Sequence, residues 1–149
     1  EACLLSAMMH NRDTKLLQRI ATTLDPDDFE SPVFSRIFTG MTELLAHNRP
    51  CDPAAIRSHL AAKGTRDGLP ADVLNAAILN LLTLETIDMH AGEYARQVAS
   101  ASYRRQFARM TEQLRHAADT APEAELLSIM VQHGIGQRKA WERYQGMNF

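Results

Sequence analysis

Tyr94-Ala95-Arg96-Gln97-Val98-Ala99-Ser100-Ala101-Ser102-Tyr103-Arg104-Arg105-Gln106-Phe107-Ala108-Arg109-Met110-Thr111-Glu112-Gln113-Leu114 decides the architecture. It lies inside a helical pattern running from about Asp88 to Asp119. With Tyr94 at 0° and about 100° per residue, Ile87, Tyr94, Val98 and Ala101 fall within about 40° of zero. Tyr103, Phe107, Met110, Leu114 and Ala117 fall between about 140° and 220° on the same wheel. The apolar stripe therefore changes sides near Ser102. A helix lying on a single core has no reason to do this, so the first half is expected to pack on a globular head and the second half on something else. Thr120-Ala121-Pro122 stops and restarts the helix, and Leu126, Leu127, Met130 and Val131 form a new stripe ending at Gly134. So short a connection predicts an antiparallel helical hairpin. A hairpin that projects from a head cannot bury both of its faces, and it invites a partner hairpin. The expected oligomer surface is Tyr103, Phe107, Met110, Leu114, Leu127 and Met130. An alternative cover for the switched stripe is the segment beyond Gly134, with Trp141 and Tyr144 folding back.

Upstream, the start and stop signals of five further helices are legible. The first runs from Glu1 with Leu4, Leu5, Met8 and Met9 on its apolar side. Asp13 or Thr14 caps the second, which carries Leu16, Leu17, Ile20, Ala21 and Leu24. The turn Asp25-Pro26-Asp27-Asp28 follows, and Phe29 returns to the core. Ser31-Pro32 starts the central core helix, whose face is Val33, Phe34, Ile37, Phe38, Met41, Leu44 and Leu45. Asp52-Pro53 repeats that start signal, and Gly64 supplies the stop after Ile56 and Leu60. A polar stretch over 64–69 leads into a helix from about Pro70 to Leu84. Its run Ile78, Leu79, Leu81, Leu82 is apolar nearly all round and predicts deep burial. No period-2 alternation appears, so the fold class is all-α: a compact helical head, 1–101, then a hairpin extension, 102–133, and a tail or start of a linker, 134–149.

Composition agrees. Hydrophobic residues make up 45% and charged residues 23% of 149 residues, the balance of a globular chain. Aromatic content is only 6%, leaving Leu, Ala and Met to supply most of the apolar mass, and these favour helix over strand. No apolar run approaches the length of a membrane span, and no signal-peptide pattern is present. Glu1 stands in a segment that already reads as helix, so the chain is expected to be a trimmed fragment. Cys3 and Cys51 cannot form a disulfide framework, and two buried free thiols in a reducing cytoplasm are expected. The net charge of −2 is unevenly spread: Glu1 to Glu93 holds 8 basic and 13 acidic residues, Tyr94 to Ala118 holds 5 and 1. The positive stretch is either a solvated helix face or, through Arg104, Arg105 and Arg109, a docking face for an acidic partner or a phosphate backbone.

Chemistry-bearing patterns are few. His90-x-x-Glu93 and Glu112-x-x-x-His116 each set a histidine and a carboxylate on one helical face, short of the three or four ligands zinc takes. The Asp25–Asp28 cluster lacks the order of a calcium loop and reads as a capped acidic turn. There is no G-x-x-x-x-G-K-[ST] phosphate loop, no strand to carry one, and no Ser or Cys in a nucleophile motif. The chain is expected to act by binding, with no catalytic or metal site of its own.

Across the chain, Leu4-Leu5, Asp28-Phe29, Ile37-Phe38, Leu44, Pro50-x-Asp52, Leu60, Gly64 and Tyr94-Ala95-x-x-Val98…Arg104-Arg105 resemble the N-terminal domain of DnaB-type bacterial replicative helicases. The resemblance covers about Glu1 to Val131. Ser6 stands where that family usually has glycine, and Phe34 where histidine is common. The resemblance implies a helical head followed by a hairpin that pairs between subunits to build a ring-shaped collar, with primase or a helicase loader as docking partners. It also implies that ATP and magnesium belong to a separate motor domain, and that the domain itself needs no cofactor and works in DNA replication in the cytoplasm. A second reading is a stand-alone helix-turn-helix DNA-binding regulator, formed by the helix ending near Asn48 and the one starting at Pro53. The groove-reading turns of that helix would offer only Arg57, Ser58 and His59 on an acidic head, so neither tight duplex DNA binding nor ATP hydrolysis is expected.

Overall fold

The computed structural model describes residues 1–64 and 68–147. Thr65, Arg66 and Asp67 of the polar 64–69 stretch, and Asn148 and Phe149 of the expected tail, lie outside the described residues. Among those described there are seven α-helices and no strand. They are α1 (Ala2–His10), α2 (Thr14–Thr23), α3 (Pro32–Ala46), α4 (Pro53–Lys63), α5 (Ala71–Leu82), α6 (Ala91–Thr120) and α7 (Glu123–Gln145), with 3-10 turns at Pro26–Asp28 and Asp88–His90. The described residues form two compact units, one spanning Glu1–Val98 and one beginning at Ala99.

In the first unit the sequence signals act as local chemistry says they should. Asp13 caps α2 by accepting from the Leu16 amide at 3.1 Å, and Asp52 caps α4 from the Ala55 amide at 2.9 Å. Ser31 accepts from the Phe34 amide, with Pro32 in the first turn behind it. The Asp25–Asp28 turn is a reciprocal cap: the Asp25 amide donates to Asp28 Oδ2 at 2.8 Å. Gly64 ends α4 at φ +70°, a conformation that suits a residue without a Cβ. α3 is the central element and packs on α1, α2, α4 and α5. Its Ile37, Phe38, Met41 and Leu44 are fully buried, and the Phe29 ring packs against Phe38, tilted by 34° with ring centroids 4.7 Å apart. Gly40 lets α4 approach closely, since a Cβ there would lie 2.9 Å from Leu60 Cδ2. Ser6, also fully buried, is satisfied by Thr86 Oγ1 at 2.9 Å.

The structure corrects three expectations in this unit. Cys3 is exposed, and only Cys51 is buried, its Sγ donating to the Met41 carbonyl at 3.4 Å. Burial, reinforced by the neighbouring Asp52 charge, pushes the Cys51 thiol up to about 11. α5 is not deeply buried all round: Leu74, Ile78 and Leu81 face the core, while Leu79 stands 53% exposed and Leu82 is also open. Its apolar circumference is wider than the single contact face a three-turn surface helix needs.

The third correction concerns the start of α6. Its buried residues are Ala91, Gly92, Ala95 and Val98, with Ala99 and Ser102 continuing the line, while Tyr94 is half-buried and Ala101 and Ile87 are exposed. The sequence reading weighted large side chains, but close helix packing here uses small ones. The buried line consequently swings by only about 80° into the later stripe rather than jumping to the opposite side.

Candidate functional site: the helical hairpin

The second unit is a hairpin of the later part of α6 and all of α7. Tyr103 lies 5.4 Å from Trp141 and 6.3 Å from Tyr144 between ring centroids, and Trp141 lies 5.6 Å from Tyr144. Residues at matching distances before and after the Ala121-Pro122 turn therefore meet, the register of an antiparallel pair. α7 does not stop at Gly134. It runs on through Gly136 to Gln145, so the expected tail is helix for most of its length. Neither glycine has a heavy atom within 4 Å of where a Cβ would sit, so neither is demanded by packing. The aromatic contacts at the far end hold the continued helix in place.

The seam between the two helices is lined by half-buried residues: Tyr103, Gln106, Met110, Leu114 and Ala117 on α6, and Leu126, Ile129, His133, Gln137, Ala140 and Tyr144 on α7. The α7 set follows 3-and-4-residue steps, the spacing of one helical face. The six residues expected at an oligomer surface thus divide. Tyr103, Met110 and Leu114 turn toward the chain's own second helix, as the fold-back alternative anticipated for Trp141 and Tyr144. Phe107, Leu127 and Met130 stay open, at 48%, 67% and 55% exposure. Turning outward from the seam, Phe107 and Met130 lie about 60° to one side, Trp141 about 80° and Leu127 about 120°. In an antiparallel pair these rotations carry all four to the same flank of the hairpin. Val131 and Ile135 extend the apolar surface around the back of α7.

The opposite flank is basic. Arg105 and Arg109 project there from α6, and Lys139 and Arg143 from α7, each roughly 80° to 140° from the seam. Arg104, grouped with Arg105 and Arg109 in the sequence, lies about 120° to the other side and borders the apolar flank instead. The three arginines do not share one face. Lys139 and Arg143 lie in the segment beyond Gly134, where a tail rather than a helix face was expected. The signal that could have found them is the aromatic pair Trp141/Tyr144, as far beyond the turn as Tyr103 is before it. Towards the tip, Arg115 pairs with Glu112 at 2.6 Å and with Asp119 at 3.5 Å. The hydrogen bond from Arg115 holds the Glu112 carboxyl below its usual range.

No group of three or more His, Cys, Asp or Glu side chains that could hold a metal is found among the described residues. No described helix is long and apolar enough to cross a membrane. α4, the would-be recognition helix of the second reading, exposes Ala54, Arg57, Ser58, Ala61, Ala62 and Lys63, with Arg57 Nε bonded to Asn75 at 3.2 Å and Lys63 paired with Glu43. The seven-helix head-and-hairpin architecture is that of the DnaB N-terminal domain class. Residues 1–100 match the family model described as the DnaB-like helicase N terminal domain, and the chain belongs to that family. It is similar in fold to the crystal structure of the N-terminal domain of DnaB helicase from Mycobacterium tuberculosis, with a TM-score of 0.73 at 20% identity over 91% of this chain and 93% of that one. No curated protein matches the chain.

Proposed function

We propose that this chain is the non-catalytic assembly and docking domain of a cytoplasmic DnaB-like replicative helicase, and that its hairpin associates with the hairpin of a second copy. The observation that carries the reading is the apolar flank of Phe107, Leu127, Met130 and Trp141, whose side chains stand 42–67% exposed on the hairpin. Completing the burial of each half-exposed side chain is worth roughly 1 kcal/mol, and several from each copy together offset the entropy of association. The basic flank, on which Arg109 and Lys139 are exposed, then remains outward for an acidic surface of a primase or a helicase loader. Sedimentation velocity between about 1 and 50 µM tests the reading. The wild type is expected to sediment as a dimer or larger, and Leu127→Glu with Met130→Glu as a monomer with unchanged helical circular dichroism. A wild type that is monomeric across that range refutes the pairing.

A further inference from the structure

Two loops of the head meet at one open groove of about 610 Å³. The α1–α2 connection brings Asn11 and Arg12 to its walls, and the α3–α4 connection brings Asn48, Arg49 and Asp52. Its floor is apolar: Met9, Leu17, Leu45 and Cys51 line it at only 3–6% exposure. Most polar groups of the lining are already committed to the fold. Asn11 donates through Nδ2 to the Asp88 carbonyl and accepts through Oδ1 from the Asp13 amide, both at 2.7 Å. Asp52, the one carboxylate among the described lining residues, accepts from the Ala55 amide at 2.9 Å as the cap of α4. Arg12 and Arg49 differ. Both are exposed, and among the described residues neither guanidinium has an ion-pair or hydrogen-bond partner.

We propose that this groove binds a short acidic segment of a partner protein, two of whose carboxylates pair with Arg12 and Arg49 while an apolar side chain between them seats on Leu17 and Leu45. Each guanidinium is a planar fork that can grip a carboxylate through two parallel hydrogen bonds. The groove's volume suits a few residues of chain rather than a whole domain face. Asn48 adds a neutral donor to the same wall, because its Oδ1 accepts from Gln18 at 3.2 Å and its amide nitrogen is left over. A nucleic acid fits less well. No aromatic side chain lines the groove for a base to stack on, and Glu1 to Glu93 holds 13 acidic against 8 basic residues, which opposes a polyphosphate. The groove lies in the first compact unit and the basic flank of the hairpin in the second, so the two surfaces can be read separately.

The test uses the isotope-labelled chain and synthetic peptides of about eight residues, read by amide chemical shifts. One peptide carries two glutamates flanking a leucine, one has glutamines in place of the glutamates, and one has serine in place of the leucine. The glutamate–leucine peptide is expected to move the amides of Arg12, Thr14, Asn48, Arg49 and Cys51 with a Kd of about 50–500 µM, a small transient interface. The glutamine peptide should bind at least about tenfold more weakly, and the serine peptide about fivefold. Arg12→Gln with Arg49→Gln should weaken the glutamate–leucine peptide about tenfold and leave the melting temperature in place, since neither side chain bonds to the head. Arg109→Gln with Lys139→Gln, on the hairpin, should leave the groove shifts unchanged. The proposal is overturned by no groove shift at about 3 mM peptide, by equal affinity for the glutamine or serine peptide, by undiminished binding to the Arg12/Arg49 variant, or by shifts confined to the hairpin. Groove amides that respond equally to oligothymidylate would assign the arginines to nucleic acid, and ones that move on dilution of the protein alone would assign them to a second copy; either result overturns it too. The failure of hairpin pairing, read by sedimentation, would leave this proposal standing.

Discussion

Replacing Tyr103 by alanine removes the residue that joins the two far ends of the hairpin. Its ring contacts both Trp141 and Tyr144, at 5.4 and 6.3 Å. An aromatic pair is worth about 0.5–1.5 kcal/mol beyond area burial. Half-burial of a tyrosine withdraws on the order of 100 Å² from water, about 2.5 kcal/mol at 25 cal/mol per Å². Alanine's better helix propensity returns roughly 0.5 kcal/mol, and relaxation of the exposed neighbours trims the rest, leaving a loss of about 2–3 kcal/mol. Trp141 is the single tryptophan of the chain, so its fluorescence reports the hairpin while circular dichroism reports all helices. For a unit of this size, with a urea dependence near 1 kcal/mol per M, the fluorescence midpoint should fall by about 2 M. The head's share of the dichroism transition should stay in place. Tyr103→Phe, which keeps the ring, should remain within about 0.5 kcal/mol of wild type. A fluorescence midpoint that moves by less than about 0.5 M in the alanine variant would refute the claim that this cluster closes the hairpin.

Two further expectations concern the head. Burial raises the Glu43 carboxyl, but hydrogen bonds from Lys63 and His59, with their charges, outweigh it and leave the group below its ordinary value of 4.5. A depressed folded value stabilises the fold above pH 4.5 and loses that contribution as pH falls through the folded value, so wild type and Glu43→Gln should converge in melting temperature in acid. With the side chain 31% exposed the effect at neutral pH should stay below about 1 kcal/mol. At pH 8 a thiol reagent should modify the exposed Cys3 promptly, whereas Cys51, buried and with its thiol at about 11, should react only once denaturant opens the head. Two equally fast thiols in the folded chain would contradict the burial of Cys51.

Much of this was legible because helix starts are written in short-range chemistry. Asp13, Ser31-Pro32 and Asp52-Pro53 each act within three residues of themselves, so no tertiary knowledge is needed to place α2, α3 and α4. The hairpin's existence followed from Ala121-Pro122 for the same reason. What stayed hidden depends on partners distant in sequence. The continuation of α7 past Gly134 rests on Trp141 and Tyr144 meeting Tyr103, a contact some forty residues apart that outweighs two locally unfavourable glycines. The division of the six expected interface residues into a seam and an open flank also needs the register of that contact. Periodicity gives a stripe but not the width of what covers it. The same limit explains α5, where a run apolar on all sides cannot say which sides the fold leaves bare.

Gly134 and Gly136 give the hairpin a built-in weak link. Each is about 1 kcal/mol less favourable than alanine inside a helix, and neither recovers the difference through contacts. Thermal fluctuation should break the hydrogen-bond ladder of α7 there before it breaks elsewhere along the interior. That rupture point divides the helix into two segments with different allegiances. The distal one carries Leu127 and Met130 on the open flank, and the proximal one carries Trp141 and Tyr144 against α6. A load applied at the tip of the hairpin would be absorbed as local unwinding in mid-helix, leaving the aromatic clasp at its base intact.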